Sequence, residues 1–259
     1  MATIVTAFYD INRSEKGDGR KIDDYKLWIA KTLQLNCNLV VFTEDKFVSF
    51  IESCRPKNYP LIIKNTNLKD AHYFQYLEKM KDIINSETYK TKIKHPNRVE
   101  CILPEYNVIQ YSKISWLKDI IQENPFKTSS FFWMDIGISR FFDKIDLNKP
   151  YPGNKIINKS NGKFIIQKRF DLETYDITNE FIWDSANLLK GSMFGGNKET
   201  VEKISKLLED VFCNMMLANN NVNNEQLALA LVWKKHKDLF YIIDDSTTSH
   251  IVIDKLLCH

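Results

Sequence analysis

Glycine is scarce in this sequence, and the phosphate-binding motifs that depend on it are absent. The chain has 8 glycines in 259 residues. None of them is arranged as G-x-G-x-x-G or as G-x-x-x-x-G-K-[ST], the motifs that present backbone N–H groups to phosphate in dinucleotide enzymes and P-loop NTPases. The sequence therefore disfavours both classes of nucleotide-binding protein.

Paired cysteines, an excess of one charge and long apolar runs are also missing. The five cysteines are widely spread and have no zinc-ligand spacing, which predicts reduced thiols and a cytoplasmic location. The 36 basic and 33 acidic residues leave a net charge of +3, too small to indicate a nucleic-acid partner. No run approaches the roughly 18 apolar residues of a transmembrane helix, so we expect no membrane-spanning segment.

The first part of the chain alternates between short apolar runs and helical patterns. Runs rich in β-branched residues at 3–9, 38–43 and 59–64 predict strands, and apolar residues at helical spacing predict helices at 22–33 and 47–54. This alternation is typical of a parallel, doubly wound sheet. The loop after the first strand would then face a ligand, because ligands bind beyond the carboxyl ends of such strands.

The remainder continues the α/β pattern without a repeat or an evident linker, which favours one domain. The predicted helices lie at 69–85, 108–122, 198–218 and 225–236, and the predicted strands lie at 129–134, 163–169 and 239–243.

The strongest site signal is Asp135, at the end of the apolar run in 129–139. Such a run predicts a strand buried on both faces. A carboxylate at its end is costly unless it reaches water or a cation, and Gly137 lets backbone or ligand come close. Asp135 is therefore either part of a ligand site or the cap of a turn.

Other acidic and basic residues follow predicted strands. Asp10 and Asp244 would reach the same cleft as Asp135 if these strand ends point the same way. Arg13, in the loop after the first strand, is suited to hold phosphate through two parallel hydrogen bonds, or it is part of a solvated loop.

Three further features have both a functional and an ordinary interpretation. Glycines cluster at 191–197 just before a helix, which predicts a loop packed against a ligand or a plain β-to-α turn. Glu225 either complements a helix dipole or is an acid at a cleft. His250 is either a metal ligand or an exposed side chain in the tail.

Several short motifs, met in order along the chain, resemble HtrL/YibB-type proteins, a group similar to glycosyltransferases of the GT-A fold. They are the opening segment 3–13, Leu103-Pro-Glu-Tyr-Asn107, Lys113, Trp133-Met-Asp-Ile-Gly-Ile-Ser-Arg140, Phe194-Gly-Gly196 and Asn224-Glu-Gln226.

The resemblance implies a fold and a substrate class. It implies a single GT-A-like α/β domain with a Rossmann-like, mostly parallel sheet flanked by helices. Residues 1–140 would bind a nucleotide sugar, and residues 141–259 would bind the acceptor, a glycan or polysaccharide. The expected donor is a UDP-sugar, and the expected cofactor is Mn²⁺ or Mg²⁺.

The resemblance also implies roles for individual residues. The nucleoside would be held by the segment that contains Thr6, Phe8, Tyr9, Asp10 and Arg13, with Tyr9 stacked on the base. Arg13 or Lys113 would add positive charge at the diphosphate.

Asp135 takes the first place of the Asp-x-Asp motif in this family resemblance, and Gly137 takes the place of the second Asp. Asp135, water and His250 would then hold the metal, since Mn²⁺ accepts mixed oxygen and nitrogen ligands. The loss of the second carboxylate leaves an alternative open, a catalytically inactive GT-A-like binding or assembly subunit.

The reacting sugar would meet the backbone amides of Gly195 and Gly196. Glu225 would be a nucleophile or stabiliser in a reaction that retains the anomeric configuration. Asp184 would be the base in a reaction that inverts it. The resemblance leaves both stereochemical outcomes open.

Overall fold

The computed structural model describes residues 2–142 and 146–244. Its strands are β1 (Thr3–Phe8), β2 (Asn38–Thr43), β3 (Leu61–Asn65), β4 (Ser130–Met134), β5 (Phe164–Lys168), β6 (Leu189–Asn197) and β7 (Phe240–Ile243). Its α-helices are α1 (Arg13–Lys16), α2 (Ile22–Thr32), α3 (Asp45–Cys54), α4 (Leu77–Asn85), α5 (Glu87–Lys92), α6 (Pro104–Glu123), α7 (Asn154–Lys159), α8 (Lys198–Asp210) and α9 (Glu225–Lys235).

The strands form one sheet in the order β3-β2-β1-β4-β6-β5-β7. Neighbours pair in parallel except where β6 runs antiparallel between β4 and β5. The predicted fold class, a single α/β domain with a Rossmann-like, mostly parallel sheet flanked by helices, is confirmed. The division into donor and acceptor halves at residue 140 remains a prediction.

The sheet is buried on both faces, as the continuous apolar runs predict. Along β4, Phe131 and Trp133 pack into one core cluster, and Phe132 and Met134 pack into the other. The first cluster lies beneath α6, α8 and α9, and the second lies beneath α2 and α3. This alternation follows from the two-residue period of side chains along a strand.

Because β1, β4 and β7 run in the same direction, their carboxyl ends lie at one edge of the sheet. Asp10, Asp135 and Asp244 therefore follow strands that end at this edge. Asp244 pairs with Lys168 at 2.6 Å, beyond the far side of β6, whereas Asp10 and Asp135 line the same cleft.

Several sequence predictions need correction. The glycine-bearing segment at 191–197 is strand β6 and not a loop. The predicted helix at 69–85 begins as 3₁₀ turns and becomes α-helical only in α4, and the one at 198–218 changes to a π-helical turn at Val211–Met216. Helix α6 begins at Pro104, a residue that suits the first helical turn, and not at residue 108 as predicted.

The described cysteines Cys37, Cys54, Cys101 and Cys213 are free thiols, in agreement with the prediction. None of the helices in the described part of the chain combines the length and apolar content that a membrane crossing requires.

Candidate active site

A cleft of about 210 Å³ opens where β1 and β4 end. Four segments line it: the loop after β1, the residues after β4, the first turn of α2 and one face of α6. The lining includes Phe8, Tyr9, Asp10, Arg13, Arg20, Tyr25, Tyr106, Gln110, Lys113, Trp133, Asp135, Gly137 and Arg140. Tyr106, Gln110 and Lys113 share the cleft because their spacing places them on one face of a helix.

Asp135 stands at the centre of this edge. It follows β4, and its backbone N–H still donates to the Ser192 carbonyl of β6 at 2.8 Å. Its Oδ1 accepts a hydrogen bond from Trp133 Nε1 at 2.8 Å and pairs with Lys113 Nζ at 3.2 Å. No described residue bonds Oδ2, and the side chain is 31% exposed. Asp135 therefore presents one oxygen to the cleft.

All three N–H donors of the Lys113 ammonium have partners within the protein. Its ammonium donates to Glu225 Oε1 at 2.8 Å and to the Gly191 carbonyl at 3.1 Å, in addition to its contact with Asp135. An ammonium has three N–H groups, and these three acceptors use them. Burial alone would lower the pKa of Lys113, but Asp135 and Glu225 raise it above the usual lysine value. Lys113 is therefore a buried cation that orients Asp135.

Glu225 lies behind Lys113, away from the cleft. Asn224 caps α9 by accepting from the Leu227 N–H, and this cap fixes Glu225 in the first turn. The Glu225 side chain is 1% exposed, and its Oε2 is buried without a partner among the described residues. Burial raises the pKa of Glu225 more than its contact with Lys113 lowers it, and the nearby Asp135 charge adds to the increase. Glu225 is not among the cleft-lining residues, which disfavours direct attack on a bound sugar.

The glycines of β6 have packing roles. A Cβ on Gly195 would overlap the Phe131 carbonyl and the Phe132 backbone of β4, and a Cβ on Gly191 would overlap Oε1 of Glu225. Gly195 and Gly196 pair with Phe132 and Phe131 inside the sheet and do not line the cleft. The clustering of glycines in β6 thus reflects close packing against its neighbours, and the position of Gly195 and Gly196 does not support the predicted contact with sugar.

Arg13 reaches across the cleft from the loop after β1. Its guanidinium forms two hydrogen bonds with the Asp18 carboxylate, at 2.6 and 3.0 Å, and a third with Tyr25 Oη at 2.7 Å. It also lies 4.8 Å from the centre of the Tyr106 ring. This residue is in the cleft, as predicted, and its charge is matched by an internal carboxylate.

The other residues expected at the nucleoside are placed as follows. Phe8 and Tyr9 line the cleft with little exposed surface. Tyr9 stacks on Trp116 at 5.6 Å and bonds Thr66 through its hydroxyl, and burial raises its pKa to about 12. Thr6 is fully buried in β1, beneath the cleft rather than in it.

Asp10 lines the cleft, but its carboxylate is paired with a lysine. Its Oδ2 pairs with Lys46 at 3.3 Å, and its backbone N–H donates to Glu44 at 3.1 Å. Asp10 therefore neutralises a lysine rather than facing Asp135 as a second free carboxylate.

Asp184 is held in a structural turn. Its carboxylate accepts from Lys94 Nζ at 2.7 Å and from the backbone N–H groups of Ser185 and Ala186. Burial would raise its pKa, but these hydrogen bonds outweigh burial and lower it below the usual aspartate value. Asp184 does not line the cleft, so its placement and its low pKa both disfavour the predicted role as a base.

Of the two predicted metal ligands, Asp135 and His250, the structure describes Asp135. The described residues contain no cluster of three His, Cys, Asp or Glu side chains. His250, the second predicted ligand, lies outside the described residues. Magnesium-type ions can be held by one carboxylate together with water and substrate phosphates. The unpaired Oδ2 of Asp135 fits that mode.

Sequence reasoning missed two basic residues, Arg20 and Arg140, that line the cleft. Arg20 lies in the same loop as Arg13, so a wider search of the loop after β1 would have found it. Arg140 belongs to the Asp135 motif and lies on a 3₁₀ turn, Ile138–Phe141, that brings it back to the cleft. Tyr25 carries no signal in the sequence beyond its place on an amphipathic helix.

Comparison with known proteins gives one family and distant structures. The family model described as "Bacterial protein of unknown function (HtrL_YibB)" matches residues 1–248. No curated protein matches the chain. The structure is similar to mouse xyloside xylosyltransferase 1 at 10% identity and a TM-score of 0.45, over 94% of this chain and 85% of that one.

A second similar structure is the inositol-1-phosphate CTP transferase from T. maritima. It has 10% identity and a TM-score of 0.34, over 99% of this chain and 95% of that one. At these values neither similarity assigns a function to the chain.

Proposed function

This chain belongs to the HtrL_YibB family of bacterial proteins, and we propose that it is a glycosyltransferase. It would move a sugar from a nucleotide-sugar donor, with UDP as the nucleotide, to a hydroxyl group of a glycan or polysaccharide. One observation carries the proposal: a carboxylate with an unpaired oxygen, Asp135, stands among arginines in a cleft at the carboxyl edge of a mostly parallel sheet.

The charge of the cleft suits a diphosphate. Arg13, Arg20 and Arg140 line it, and Lys113 is already neutralised by its buried partners. Guanidinium groups bind phosphate oxygens through paired hydrogen bonds. In sugar transfer, the bond between the anomeric carbon and the phosphate oxygen breaks, and negative charge grows on the leaving diphosphate. Fixed cations at that position lower the barrier by stabilising this charge.

The walls of the cleft suit a nucleoside. Tyr25 of α2 and Tyr106 of α6 line the cleft, and the Arg13 guanidinium contacts both. Aromatic rings of this kind provide flat apolar surface with a polar edge, which suits a base or a ribose. Tyr9 is a weaker candidate for stacking, since one face of its ring is already covered by Trp116.

A divalent cation fits beside Asp135. Oδ2 of Asp135 would bind the ion together with phosphate oxygens of the donor and water. The ion would stabilise the charge of the leaving diphosphate. Lys113 would hold Oδ2 of Asp135 toward the cleft, and Glu225 and Gly191 support this role by fixing Lys113.

A thermal-shift panel tests the proposal. Nucleoside diphosphates with different bases, and several UDP-sugars, are added to the full chain with and without Mn²⁺. A ligand at 100 times its Kd should stabilise the fold by about 2.7 kcal/mol. Stabilisation by UDP and one UDP-sugar, enhanced by Mn²⁺, supports a donor site. Failure of every nucleotide to shift the melting temperature would contradict it and favour a non-catalytic subunit.

A further inference from the structure

Asp18 is an internal anion held by two arginines of the cleft. Its carboxylate pairs with Arg13 Nη2 at 2.6 Å and with Arg20 Nε at 3.2 Å, and it also accepts from Arg13 Nε at 3.0 Å. An arginine fork binds a carboxylate and a phosphate group with the same paired geometry. The Asp18 carboxylate therefore has the chemistry of a bound phosphate oxygen pair.

A third arginine, Arg140, adds positive charge to this site. The pKa of Arg140 is lowered by burial and by the nearby charge of Arg20, and these effects outweigh the opposite effect of the Asp135 charge. Its guanidinium lies over the rings of Trp28 and Phe141, at 5.2 and 4.6 Å. Within residues 2–142 and 146–244, no carboxylate forms an ion pair with Arg140. Arg13 and Arg20 thus share the Asp18 carboxylate, and Arg140 lies near them without an ion pair of its own among the described residues.

The segment that carries Asp18 is suited to move. Gly17 and Gly19 flank it, Gly19 has a positive φ of 76°, and a Cβ there would lie within 4 Å of no atom of the described residues. The Asp18 side chain is 31% exposed. Two backbone hydrogen bonds from Gly17 and Gly19 to the Arg13 carbonyl, each 3.1 Å, hold the turn. Movement of this turn breaks few contacts, because segments with little burial open at low cost in free energy.

We propose that Arg13, Arg20 and Arg140 form the subsite for the diphosphate of the ligand, and that Asp18 occupies this subsite until the ligand displaces it. The inference rests on the proposed function for the identity of the ligand as a nucleotide sugar. A diphosphate carries more negative charge than one carboxylate and reaches all three arginines. Asp18 therefore selects for ligands with two linked phosphates and against sugars, nucleosides and singly charged anions.

Calorimetric titration of the full chain with inorganic pyrophosphate tests this inference. Asp18→Asn removes the competing charge and keeps the size of the side chain. We expect it to tighten pyrophosphate binding about tenfold, the effect of losing one charge-assisted interaction. Asp23→Asn is the matched control, because Asp23 is 84% exposed and its one ion-pair partner in the described part of the chain is Lys26, at 3.5 Å. The pyrophosphate affinity of this variant should equal that of the wild type.

A second variant locates the effect. Adding Arg20→Gln to Asp18→Asn should reverse most of the gain in pyrophosphate affinity, since the subsite then lacks one guanidinium group. Unchanged or weaker binding by Asp18→Asn, or a gain of the same size in Asp23→Asn, would overturn the inference. So would the absence of pyrophosphate binding in both the wild type and Asp18→Asn.

UDP in the same titration separates the two proposals. If Asp18→Asn tightens pyrophosphate binding but UDP binds no better than pyrophosphate, the subsite stands and the nucleotide donor falls. If UDP binds well and Asp18→Asn has no effect on either ligand, the donor site stands and the displacement of Asp18 falls.

Discussion

The ammonium of Lys113 lies 2.8 Å from Oε1 of Glu225, and both side chains are at most 3% exposed. This pair couples helix α6 to helix α9 directly behind the cleft. Its stability depends on both charges being present, because one buried charge without its partner is far more costly than the neutral pair.

Removal of Lys113 should therefore be strongly destabilising, and removal of both partners less so. We expect Lys113→Met to lower the free energy of unfolding by about 3–5 kcal/mol, since it leaves Glu225 buried and unpaired. Glu225→Gln in the same chain should restore part of this loss. Urea unfolding of the wild type, the single variants and the double variant measures the coupling, which we expect to be about 1–3 kcal/mol. Additive effects would show that the two groups are independent.

Gly191 should tolerate no side chain, in contrast to Gly137. A Cβ at Gly191 would overlap Glu225 Oε1 and lie 2.8 Å from Gln226 Cγ. Gly191→Ala should cost about 1–3 kcal/mol through overpacking. Gly137 has a φ of −87°, and a Cβ there would lie 3.4 Å from Trp28. Gly137→Ala should leave stability unchanged or raise it by up to about 1 kcal/mol. Equal losses in thermal melts of the two variants would refute this account of β6.

The ordinary backbone conformation of Gly137 also allows a direct test of the metal site. Gly137→Asp places a second carboxylate beside the cleft without backbone strain. Charged ligands raise the affinity of oxygen sites for hard cations, so Mn²⁺ should bind about tenfold more tightly in the presence of UDP. Gly137→Asn is the neutral control of the same size. An unchanged Mn²⁺ affinity in Gly137→Asp, measured by calorimetry, would place the metal away from Asp135.

Asp184 should matter for stability and not for turnover. Its folded-state pKa is lowered, so its contribution is present above the ordinary aspartate pKa and is lost as the pH falls through the lowered value. Asp184→Ala should cost about 1–2 kcal/mol at pH 7 through lost charge-assisted hydrogen bonds. The difference from the wild type should shrink in acid.

Asp82→Ala, at an exposed position of α4, is the control and should change stability by less than about 0.5 kcal/mol. A pH-independent loss of stability in Asp184→Ala would contradict the charge-based explanation. Loss of donor turnover at full stability would restore a catalytic role for Asp184.

The sequence predicts the parts of the site that follow from burial pattern and strand direction. The apolar run before Asp135 identifies a central strand, and the order of strands and helices predicts that Asp10 and Asp135 meet at one edge. Both predictions need only local periodicity and the rule that parallel strands share an edge.

The remaining features depend on contacts between distant segments. The resemblance points to Lys113, but only the packing of α6 and α9 against β6 reveals that its donors are used by Glu225, Gly191 and Asp135. The glycines of β6 were expected in a ligand loop, because a close strand–strand approach and a close ligand approach select the same residue type. The arginine cluster arises from a loop and a 3₁₀ turn, whose geometry periodicity does not predict.

Release of UDP from the UDP-sugar that stabilises the fold most tests the central claim directly. The full chain is incubated with that donor and Mn²⁺, with and without glycan acceptors, and free UDP is measured for the wild type and for Asp135→Asn. The account predicts steady UDP release by the wild type and at least about a hundredfold loss in a folded Asp135→Asn variant. Equal release by both proteins, or none by the wild type with any donor, would contradict it.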